Sequence, residues 1–243
     1  MEARFENQEI RTARDRLHDL RLFHEKKMVL IMSLPANSPE MCAAAFEAGA
    51  DVVKCHVNLH HHASGGLFGS LDASWDVLET MLSSRKGPMG LVLGADVNDV
   101  ERDMEKAMKL PFSFYSLYAH HVPPCLSTGP VPIMAAADST YTLEEIRRMP
   151  ACGASILEAS IVPGDEYGTR LSMRDLLKYR MICENVDVPV VVPTQRRILP
   201  SDVPSLHACG ISGLMIGAIV TGRETRSVVE AVHAFRNAID ALA

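Results

Sequence analysis

The stretch VPVVVPTQRRILPSDVPSLHACGISGLMIGAIVTG, which runs from Val188 to Gly222, decides the fold. It contains two short apolar runs, VPVVV and GLMIGAIV, with a short helical pattern between them. A Gly- or Arg-bearing turn follows each run, and a C-terminal helical pattern begins near Arg223. Short apolar strands joined through helices are typical of a parallel sheet, and such turns can present backbone N–H groups to an anion. The stretch therefore predicts the end of a parallel barrel with a phosphate site, and it leaves the reaction open.

The composition is that of an ordinary globular protein. The chain has 243 residues, of which 47% are hydrophobic and 22% charged, and this length fits one large barrel or two small domains. The formal net charge of −6 argues against nucleic acid and anionic membrane as main partners. No apolar run approaches the ~20 residues of a membrane span, and the polar N-terminus is unlike a signal peptide. Six cysteines occur without a CxxC motif, so we expect a cytoplasmic protein with reduced thiols.

Strand-like and helix-like patterns alternate along the chain. Eight apolar runs predict strands that are covered on both faces: Met28–Leu34, Asp51–Asn58, Met89–Asp96, Phe112–His121, Val131–Asp138, Ala154–Ser160, Val188–Thr194 and Ile211–Ile219. Helical patterns follow most of them: Ser38–Gly49, Leu71–Arg85, Asp99–Lys109, Thr142–Cys152, Ser172–Asn185, Ser201–Cys209 and Arg223–Leu242. Eight such units predict an α/β fold, a single (β/α)8 TIM barrel domain over residues 1–243, with a doubly wound open sheet as the alternative.

Two parts of the chain depart from the regular repeat. Only VPPCLSTGP separates the fourth and fifth predicted strands, which is too short and proline-rich for a full helix. The fourth helix is therefore expected to be missing or reduced to a turn. Phe5–Lys27 predicts an extra helix within an N-terminal extension of residues 1–27, which could close the barrel floor or pack on another subunit. Because both features would leave apolar surface to cover, we expect a homo-oligomer.

The second predicted strand carries three polar residues on one side. Alternation places Lys54, His56 and Asn58 together, and side chains at the carboxyl end of a barrel strand point into the barrel mouth. Burial among apolar neighbours favours the neutral amine of a lysine, which can act as a base or form a Schiff base. We predict Lys54 and His56 as catalytic residues and Asn58 as a substrate ligand. The alternative is that the three side chains hydrogen-bond to each other and only shape the core.

Glu158 is a lone carboxylate at the end of the sixth predicted strand. The surrounding run, SILEAS, is apolar apart from its serines. Burial of a carboxylate favours its neutral form and suits general acid–base chemistry. We predict Glu158 as the third catalytic residue, with a structural role as partner of Lys54 or of an arginine as the alternative.

The last two strands end in residues suited to an anion. The seventh continues into Gln195, Arg196 and Arg197, and an arginine can grip phosphate or carboxylate with two parallel hydrogen bonds. The eighth ends at Gly217 and Ala218, where small residues let backbone amides approach an anion. We predict that these five residues bind the substrate or its phosphate. The alternative for the arginines is a surface position in solvent.

The loop after the second strand contains three consecutive histidines. With His56, the residues His60, His61 and His62 suggest a metal site. Adjacent histidines in a loop seldom ligate one ion together, however, and no carboxylate accompanies them at a suitable spacing. We therefore predict no metal ligands and a glycine-hinged lid, with a divalent metal as the alternative. No cofactor is predicted, since the chain has no glycine-rich dinucleotide motif.

The C-terminal third resembles the ribulose-phosphate-binding-barrel superfamily of TIM barrels, and within it most closely the N-acetylmannosamine-6-phosphate 2-epimerases. The matching pieces are Gly168-Thr169, Leu171-Ser172, Val188-Pro189-Val190, Arg197-Ile198 and Ile216-Gly217-Ala218-Ile219 with Thr221. The acidic residue of that family's seventh strand falls on Gln195, which cannot act as a base, and its glycine falls on Arg196. The resemblance implies the barrel fold and an anion site near Arg197, Gly217 and Ala218.

Three functions remain open from the sequence. The first is an enzyme that acts on a small phosphorylated metabolite, an isomerase, epimerase or lyase that moves a proton next to a carbonyl. The second is an aldolase that forms a Schiff base through Lys54. The third is a non-catalytic metabolite-binding barrel, which Gln195 in place of an acid favours.

Overall fold

The barrel predicted from the strand pattern is present. The computed structural model describes residues 13–61 and 65–243, without the side chains of residues 13 and 61. Within these residues there are ten strands: β1 (Val29–Ser33), β2 (Val52–His56), β3 (Leu59–His61), β4 (Gly66–Phe68), β5 (Met89–Val92), β6 (Phe114–Tyr118), β7 (Ile133–Ala137), β8 (Ala154–Ala159), β9 (Val190–Pro193) and β10 (Gly213–Ile216). Eight of them close into a parallel barrel in the order β1-β10-β9-β8-β7-β6-β5-β2, and β3 and β4 form an antiparallel hairpin. The (β/α)8 prediction is confirmed, and the open-sheet alternative is wrong.

Helices α3 to α9 lie between strands, while α1 and α2 precede β1 and α10 and α11 follow β10. Their bounds are α1 (Ala13–Asp19), α2 (Leu22–Glu25), α3 (Pro39–Glu47), α4 (Leu71–Ser83), α5 (Val97–Ala107), α6 (Pro124–Ser127), α7 (Leu143–Arg148), α8 (Met173–Cys183), α9 (Val203–Ala208), α10 (Ala218–Thr221) and α11 (Thr225–Asp240). The fourth barrel helix is the single turn α6, as its prolines predict. The eighth predicted strand was too long, because the strand ends at Ile216 and the chain turns at Gly217 into α10.

Side-chain caps fix where the helices begin. In α7, Thr142 accepts a hydrogen bond from the backbone of Glu145, whose carboxylate accepts one from the backbone of Thr142. Ser172 and Asp175 form the same reciprocal box at the start of α8. These boxes satisfy N–H groups that a helix leaves unpaired in its first turn. They set the points at which the loops above the barrel become helical.

The lower part of the barrel interior is apolar. We call its inward-facing residues the apolar layer: Val29, Ile31, Val52, Phe114, Met134, Ile156, Val191 and Met215. Leu20 and Phe23 of the N-terminal segment pack against this layer. Buried Arg16 donates a hydrogen bond to the backbone oxygen of Phe112, at 3.0 Å.

The described part of the N-terminal extension therefore covers the amino end of the barrel. The predicted extra helix is broken into α1 and α2, and residues 5–12 of that prediction lie outside the described residues. A second and larger core fills the space between the strands and the outer helices. Within the described ranges, every helix is too short or too polar to cross a bilayer.

Candidate active site

Polar side chains replace apolar ones at the next inward positions of the same strands. Strand β2 points Val52 inward below Lys54, β6 points Phe114 inward below Ser116, and β8 points Ile156 inward below Glu158. Together with Ser33 of β1, the three upper residues Lys54, Ser116 and Glu158 form what we call the polar layer. All four are buried. Because the strands are parallel, this layer lies at the carboxyl end of the barrel, where barrel enzymes carry their chemistry.

Lys54 and Glu158 form a buried ion pair at the centre of the polar layer. Lys54 Nζ lies 3.2 Å from Glu158 Oε2, and the two side chains are only 6% and 9% exposed. Ser116 Oγ donates to the same carboxylate oxygen at 3.0 Å and accepts from Lys54 Nζ at 3.3 Å. Ser160 Oγ donates to Glu158 Oε1 at 2.7 Å. Since a lysine ammonium has three N–H groups, these contacts use two of them and one can serve a ligand.

His56 stands beside this pair and is held from several directions. Its Nε2 lies 3.3 Å from Ser33 Oγ, and its ring centre lies 4.7 Å from that of Phe68. Asn37 brackets the backbone of His56, since its amide donates to the carbonyl oxygen and accepts from the N–H. The imidazole is therefore a fixed and buried member of the site. Lys54, His56 and Glu158, the three predicted catalytic residues, all line one cavity.

The cavity opens at the carboxyl end of the barrel and has a volume of about 220 Å³. This size suits a small metabolite, since pockets for drug-sized ligands are larger. Apolar walls surround the polar centre: Leu59, Val92, Ala95, Leu117, Ala136, Pro193, Met215 and Ile219. Polar groups interrupt these walls: Ser33, His60, Ser116, Tyr118, His121, Ser160, Tyr167, Thr194 and Gln195.

Gln195 lines the cavity but has all its hydrogen-bonding atoms directed at the protein. Its Oε1 accepts from the backbone of Val162 at 3.1 Å, which fixes the amide orientation. Its Nε2 donates to the Ser160 carbonyl oxygen at 3.1 Å and to the Tyr167 hydroxyl. Gln195 therefore supports the cavity wall through these hydrogen bonds. Its contact with a substrate stays a prediction.

Two tyrosines, Tyr118 and Tyr167, belong to the lining of the same cavity. Burial raises the pKa of both tyrosines, so both remain protonated at neutral pH.

Arg196 points away from the cavity. Its guanidinium bonds Asp175 Oδ1 at 2.9 Å and also contacts Glu166. Burial alone would raise the pKa of Asp175, but hydrogen bonds from Ser172 and Arg196 hold that pKa below its usual value. Arg196 is therefore not placed to grip a substrate anion as predicted, because two carboxylates already bind its guanidinium.

Arg197 is exposed and also lies outside the cavity lining. Its backbone N–H donates to Thr169 at 2.8 Å, and its carbonyl oxygen accepts from the Arg170 side chain. These bonds fasten the loop after β9 to the loop after β8. Arg197 therefore occupies a surface position in solvent, which was the alternative to anion binding for the two arginines.

Asn58 also departs from its predicted position. Its backbone has φ of 56°, a left-handed conformation that ends the alternation of β2. The side chain turns toward α5 and donates to the carbonyl oxygen of Leu93 at 2.9 Å and to Asp103 at 2.6 Å. Asn58 therefore does not join Lys54 and His56 in the cavity, and it anchors the start of the hairpin loop instead.

Of the two residues predicted to bind an anion after β10, Gly217 lines the cavity and Ala218 does not. Gly217 lines it, but its N–H donates to Thr194 Oγ1 at 3.0 Å. Ala218 begins α10 and is not among the lining residues, whereas Ile219 is. A Cβ at position 217 would meet only ordinary contacts with Ser33 at 3.8 Å, so the space does not demand glycine.

Histidines from two loops border the cavity mouth. His60 and His121 line it, while His120 contacts Tyr141 instead. Burial, aided by the neighbouring His120, lowers the pKa of His121. His62 and the side chain of His61 lie outside the described residues. In the described ranges, no three histidine, cysteine, aspartate or glutamate side chains are grouped to hold a metal ion.

Several polar cavity residues were missed from the sequence, and Ser116, Ser160 and Tyr167 are three of them. Ser116 and Ser160 share the inward parity of their strands with Phe114 and Glu158, so alternation could have found them. Tyr167 comes from the loop between β8 and α8, where no periodicity applies. Its position depends on the bond to Gln195, which the sequence does not reveal.

Comparisons with known proteins identify the architecture. No protein-family model matches the chain, and no curated protein matches it. A thiamine phosphate pyrophosphorylase from Pyrococcus furiosus has a similar structure, with a TM-score of 0.63 and 17% identity over 89% of this chain and 98% of that one. A tryptophan synthase chain from Mycobacterium tuberculosis gives a TM-score of 0.69 and 14% identity over 90% of this chain and 96% of that one. A protein from Aquifex aeolicus VF5 gives a TM-score of 0.65 and 15% identity, covering 93% and 98%. At these identities the similarity shows the TIM-barrel fold alone, and the resemblance to the epimerases stays a prediction.

Proposed function

We propose that this protein is an enzyme that moves a proton next to the carbonyl group of a small phosphorylated metabolite, as isomerases, epimerases and lyases do. The observation that carries the proposal is the buried Lys54–Glu158 pair at the base of a cavity at the carboxyl end of the barrel. A charged pair costs free energy to bury, so a pair in an open cavity is better explained by chemistry than by stability.

Each member of the pair has a separate task in this mechanism. The Glu158 carboxylate takes the proton from the carbon next to the carbonyl. The Lys54 ammonium, 3.2 Å away, faces the carbonyl oxygen and stabilises the negative charge that develops there. Ser116 and Ser160 hold the carboxylate in position through one hydrogen bond to each oxygen. His56 supplies a second donor or acceptor on the wall formed by β1 and β2.

A phosphate group would lie between β9 and β10 in this proposal. Thr194, Gly217 and Ile219 line the cavity there, and backbone N–H groups at the start of α10 are available to an anion. His60 and His121 line the mouth and would offer it imidazole N–H donors. Binding therefore depends on backbone amides and histidines instead of Arg196 and Arg197.

Hydrogen–deuterium exchange at carbon tests the proton transfer without knowledge of the net reaction. The protein is incubated in deuterium oxide with aldose phosphates, ketose phosphates, their unphosphorylated counterparts and 2-keto acids, and loss of the C–H signal is followed by NMR. We expect exchange in at least one phosphorylated compound, and a loss of about 100-fold or more in Lys54→Met and in Glu158→Gln.

The exposed pair Lys86–Glu47, at 2.9 Å, provides the matched controls Lys86→Met and Glu47→Gln, which should exchange at the wild-type rate. Absence of exchange in every compound would contradict the proposed chemistry. Equal exchange with phosphorylated and unphosphorylated compounds would contradict the phosphate site alone.

An aldolase with a Schiff base on Lys54 is the second candidate. It is favoured by the position of the amine, which lines the cavity beside a carboxylate that can exchange protons with it. Borohydride treatment with a ketose phosphate, followed by mass spectrometry, should then leave an adduct on the peptide that contains Lys54. Exchange without an adduct supports plain proton transfer, and binding without either result supports a non-catalytic barrel.

A further inference from the structure

Two sides of the cavity that face each other across the barrel differ in chemistry. In the closed order of strands, β9 lies four places from β5, so these two strands are on opposite sides. Lys54 of β2 and Glu158 of β8 are also four places apart, and their ion pair lies between the other two sides. The proposed substrate has its phosphate beside β9 and β10 and its carbonyl group at this pair. Its remaining end therefore points toward β5.

The β5 side presents apolar groups to a ligand. In the described ranges, β5 and the turn after it contribute Val92, Gly94 and Ala95 to the cavity lining, and none of these has a hydrogen-bonding side chain. Leu59, at the start of β3, adds to the apolar lining from the neighbouring β2 side. We call these four residues the β5 wall.

Three hydrogen-bonding groups beside the β5 wall are engaged within the protein. The carbonyl oxygen of Val92 accepts from the backbone N–H of Val57 at 2.9 Å. The carbonyl oxygen of Leu93 accepts from the Asn58 side chain at 2.9 Å. Ser116, on the adjacent strand β6, is bonded to both members of the buried ion pair. A substrate hydroxyl at the wall would therefore give up its bonds to water for groups that are already occupied.

Acidic residues at the rim keep a phosphate away from the β5 side. Asp96 directly follows Ala95 and caps α5, since its side chain accepts from the backbone of Asp99 at 2.9 Å. Asp138 directly follows β7. Both carboxylates lie close enough to His121 at the cavity mouth to oppose the lowering of its pKa by burial. A phosphate beside β5 would be repelled by these two charges, which agrees with its proposed place on the opposite side.

We infer that the substrate carries an alkyl or aryl group, and not a hydroxylated carbon chain, at the end remote from its phosphate. The inference rests on the proposed function, which supplies the position of the phosphate. Burial of an apolar group against the β5 wall is favourable, whereas burial of a hydroxyl group without a partner is unfavourable. The cavity volume of about 220 Å³ limits this group to a small one.

A pair of ketone phosphates that differ only at this end tests the inference. Dihydroxyacetone phosphate ends in a hydroxymethyl group, and hydroxyacetone phosphate ends in a methyl group. Isothermal titration calorimetry of the wild-type protein should give a dissociation constant about tenfold or more lower for hydroxyacetone phosphate, because its methyl group leaves no hydroxyl unpaired at the wall. Deuterium exchange at carbon is followed by NMR in the same two compounds.

A substitution in the β5 wall should reduce this preference. Val92→Thr keeps the shape of the side chain and adds a hydroxyl group that can pair with the hydroxymethyl end. The ratio of the two dissociation constants should therefore fall to about threefold or less. The control Val188→Thr makes the same change at a half-buried position before β9, outside the cavity lining, and should keep the wild-type ratio. Circular dichroism of both variants confirms that they are folded.

The outcomes separate this inference from the proposed function. Equal or tighter binding of dihydroxyacetone phosphate by the wild-type protein, with exchange in both compounds, would overturn the inference and leave the proposed function standing. A ratio that Val92→Thr leaves unchanged would overturn the β5 wall as the cause of the preference. Absence of both binding and exchange with either compound would count against the proposed function, and the inference would fall with it.

Discussion

The apolar layer and the polar layer of this barrel use the same strands for different purposes. In β2, β6 and β8 the inward residue changes from valine, phenylalanine and isoleucine to lysine, serine and glutamate within a single step of two residues. Both layers are buried. The apolar layer is covered from below by Leu20 and Phe23, whereas the polar layer faces a cavity. Protein side chains close the apolar layer at the amino end of the barrel, whereas the polar layer is open to a cavity at the carboxyl end.

Under the proposed function, the lower layer serves stability and the upper layer serves chemistry. The apolar layer gains free energy from burial and close packing. The polar layer loses free energy when its charges leave water, and it recovers part of that loss through the Lys54–Glu158 pair and its serines. Substitutions in the lower layer should therefore change stability alone, and substitutions in the upper layer should change activity more than their effect on stability suggests.

The largest effect is expected from breaking the charged pair on one side. Lys54→Met leaves the Glu158 carboxylate buried without its cation, which should lower the free energy of unfolding by about 3–5 kcal/mol. Chemical denaturation measures the change. Lys86→Met, which breaks an exposed pair, should change stability by less than about 1 kcal/mol. Similar values for the two variants would mean that Lys54 and Glu158 are not an effective buried pair.

The next largest loss of stability is expected from filling the space that the apolar layer leaves for the ring of Phe114. Gly90 of β5 faces Phe114, and a Cβ at position 90 would lie 2.3 Å from that ring. Gly90→Ala must move the ring or the strand, at a cost of about 1–3 kcal/mol. Gly168→Ala is the control for crowding, since nothing lies within 4 Å of a Cβ there, although its φ of 79° adds backbone strain. Thermal unfolding that is unchanged by Gly90→Ala would contradict the packing described for this layer.

A pair of conservative substitutions compares the layers directly. Ile156→Val removes one methyl group from the apolar layer and should cost about 0.5–1.5 kcal/mol of stability, with no change in the rate of deuterium exchange into substrate. Ser116→Ala removes one hydrogen bond to Glu158 at a cost of about 1 kcal/mol, and it should slow exchange roughly five- to tenfold. If both variants slow exchange equally, the two layers do not divide stability from chemistry.

The smallest effect is a dependence of stability on pH at the cavity mouth. Burial and His120 lower the pKa of His121 below its ordinary 6.5, against the opposing influence of Asp96 and Asp138. Below pH 6.5 the unfolded chain therefore binds this proton more readily than the folded protein does. The free energy of unfolding should fall as pH drops from 6.5 through the folded pKa and then level off. Thermal unfolding of His121→Gln should lack this component, and identical pH profiles would contradict the assignment.

Much of the fold followed from the sequence because its signals are local. Apolar runs bounded by turn residues predicted all eight barrel strands, and the prolines between β6 and β7 predicted the shortened helix α6. Alternation within β2 also predicted that Lys54 and His56 share a face. The pairing of Lys54 with Glu158 was foreseen only as an alternative, because nothing local links two residues 104 positions apart.

The site predictions that the structure corrects concern residues in the turns that follow strands, Asn58 after β2 and Arg196 after β9. Alternation placed Asn58 with Lys54 and His56, but one left-handed residue after β2 redirects its side chain. Arg196 follows β9 as expected, and only the tertiary position of Asp175 shows where its guanidinium binds. Local periodicity predicts which residues face inward, whereas it cannot predict which charged groups find partners across loops.

Removal of both members of the charged pair tests the central claim most directly. The variant Lys54→Met/Glu158→Leu should be as stable as the wild-type protein or more stable, because it replaces a buried ion pair with apolar groups of similar volume. The same variant should lose deuterium exchange into every carbonyl compound that the wild-type protein accepts. Denaturant unfolding and NMR exchange on this one variant give both answers. A double variant that is as unstable as Lys54→Met, or one that still exchanges, would contradict the assignment of the polar layer to chemistry.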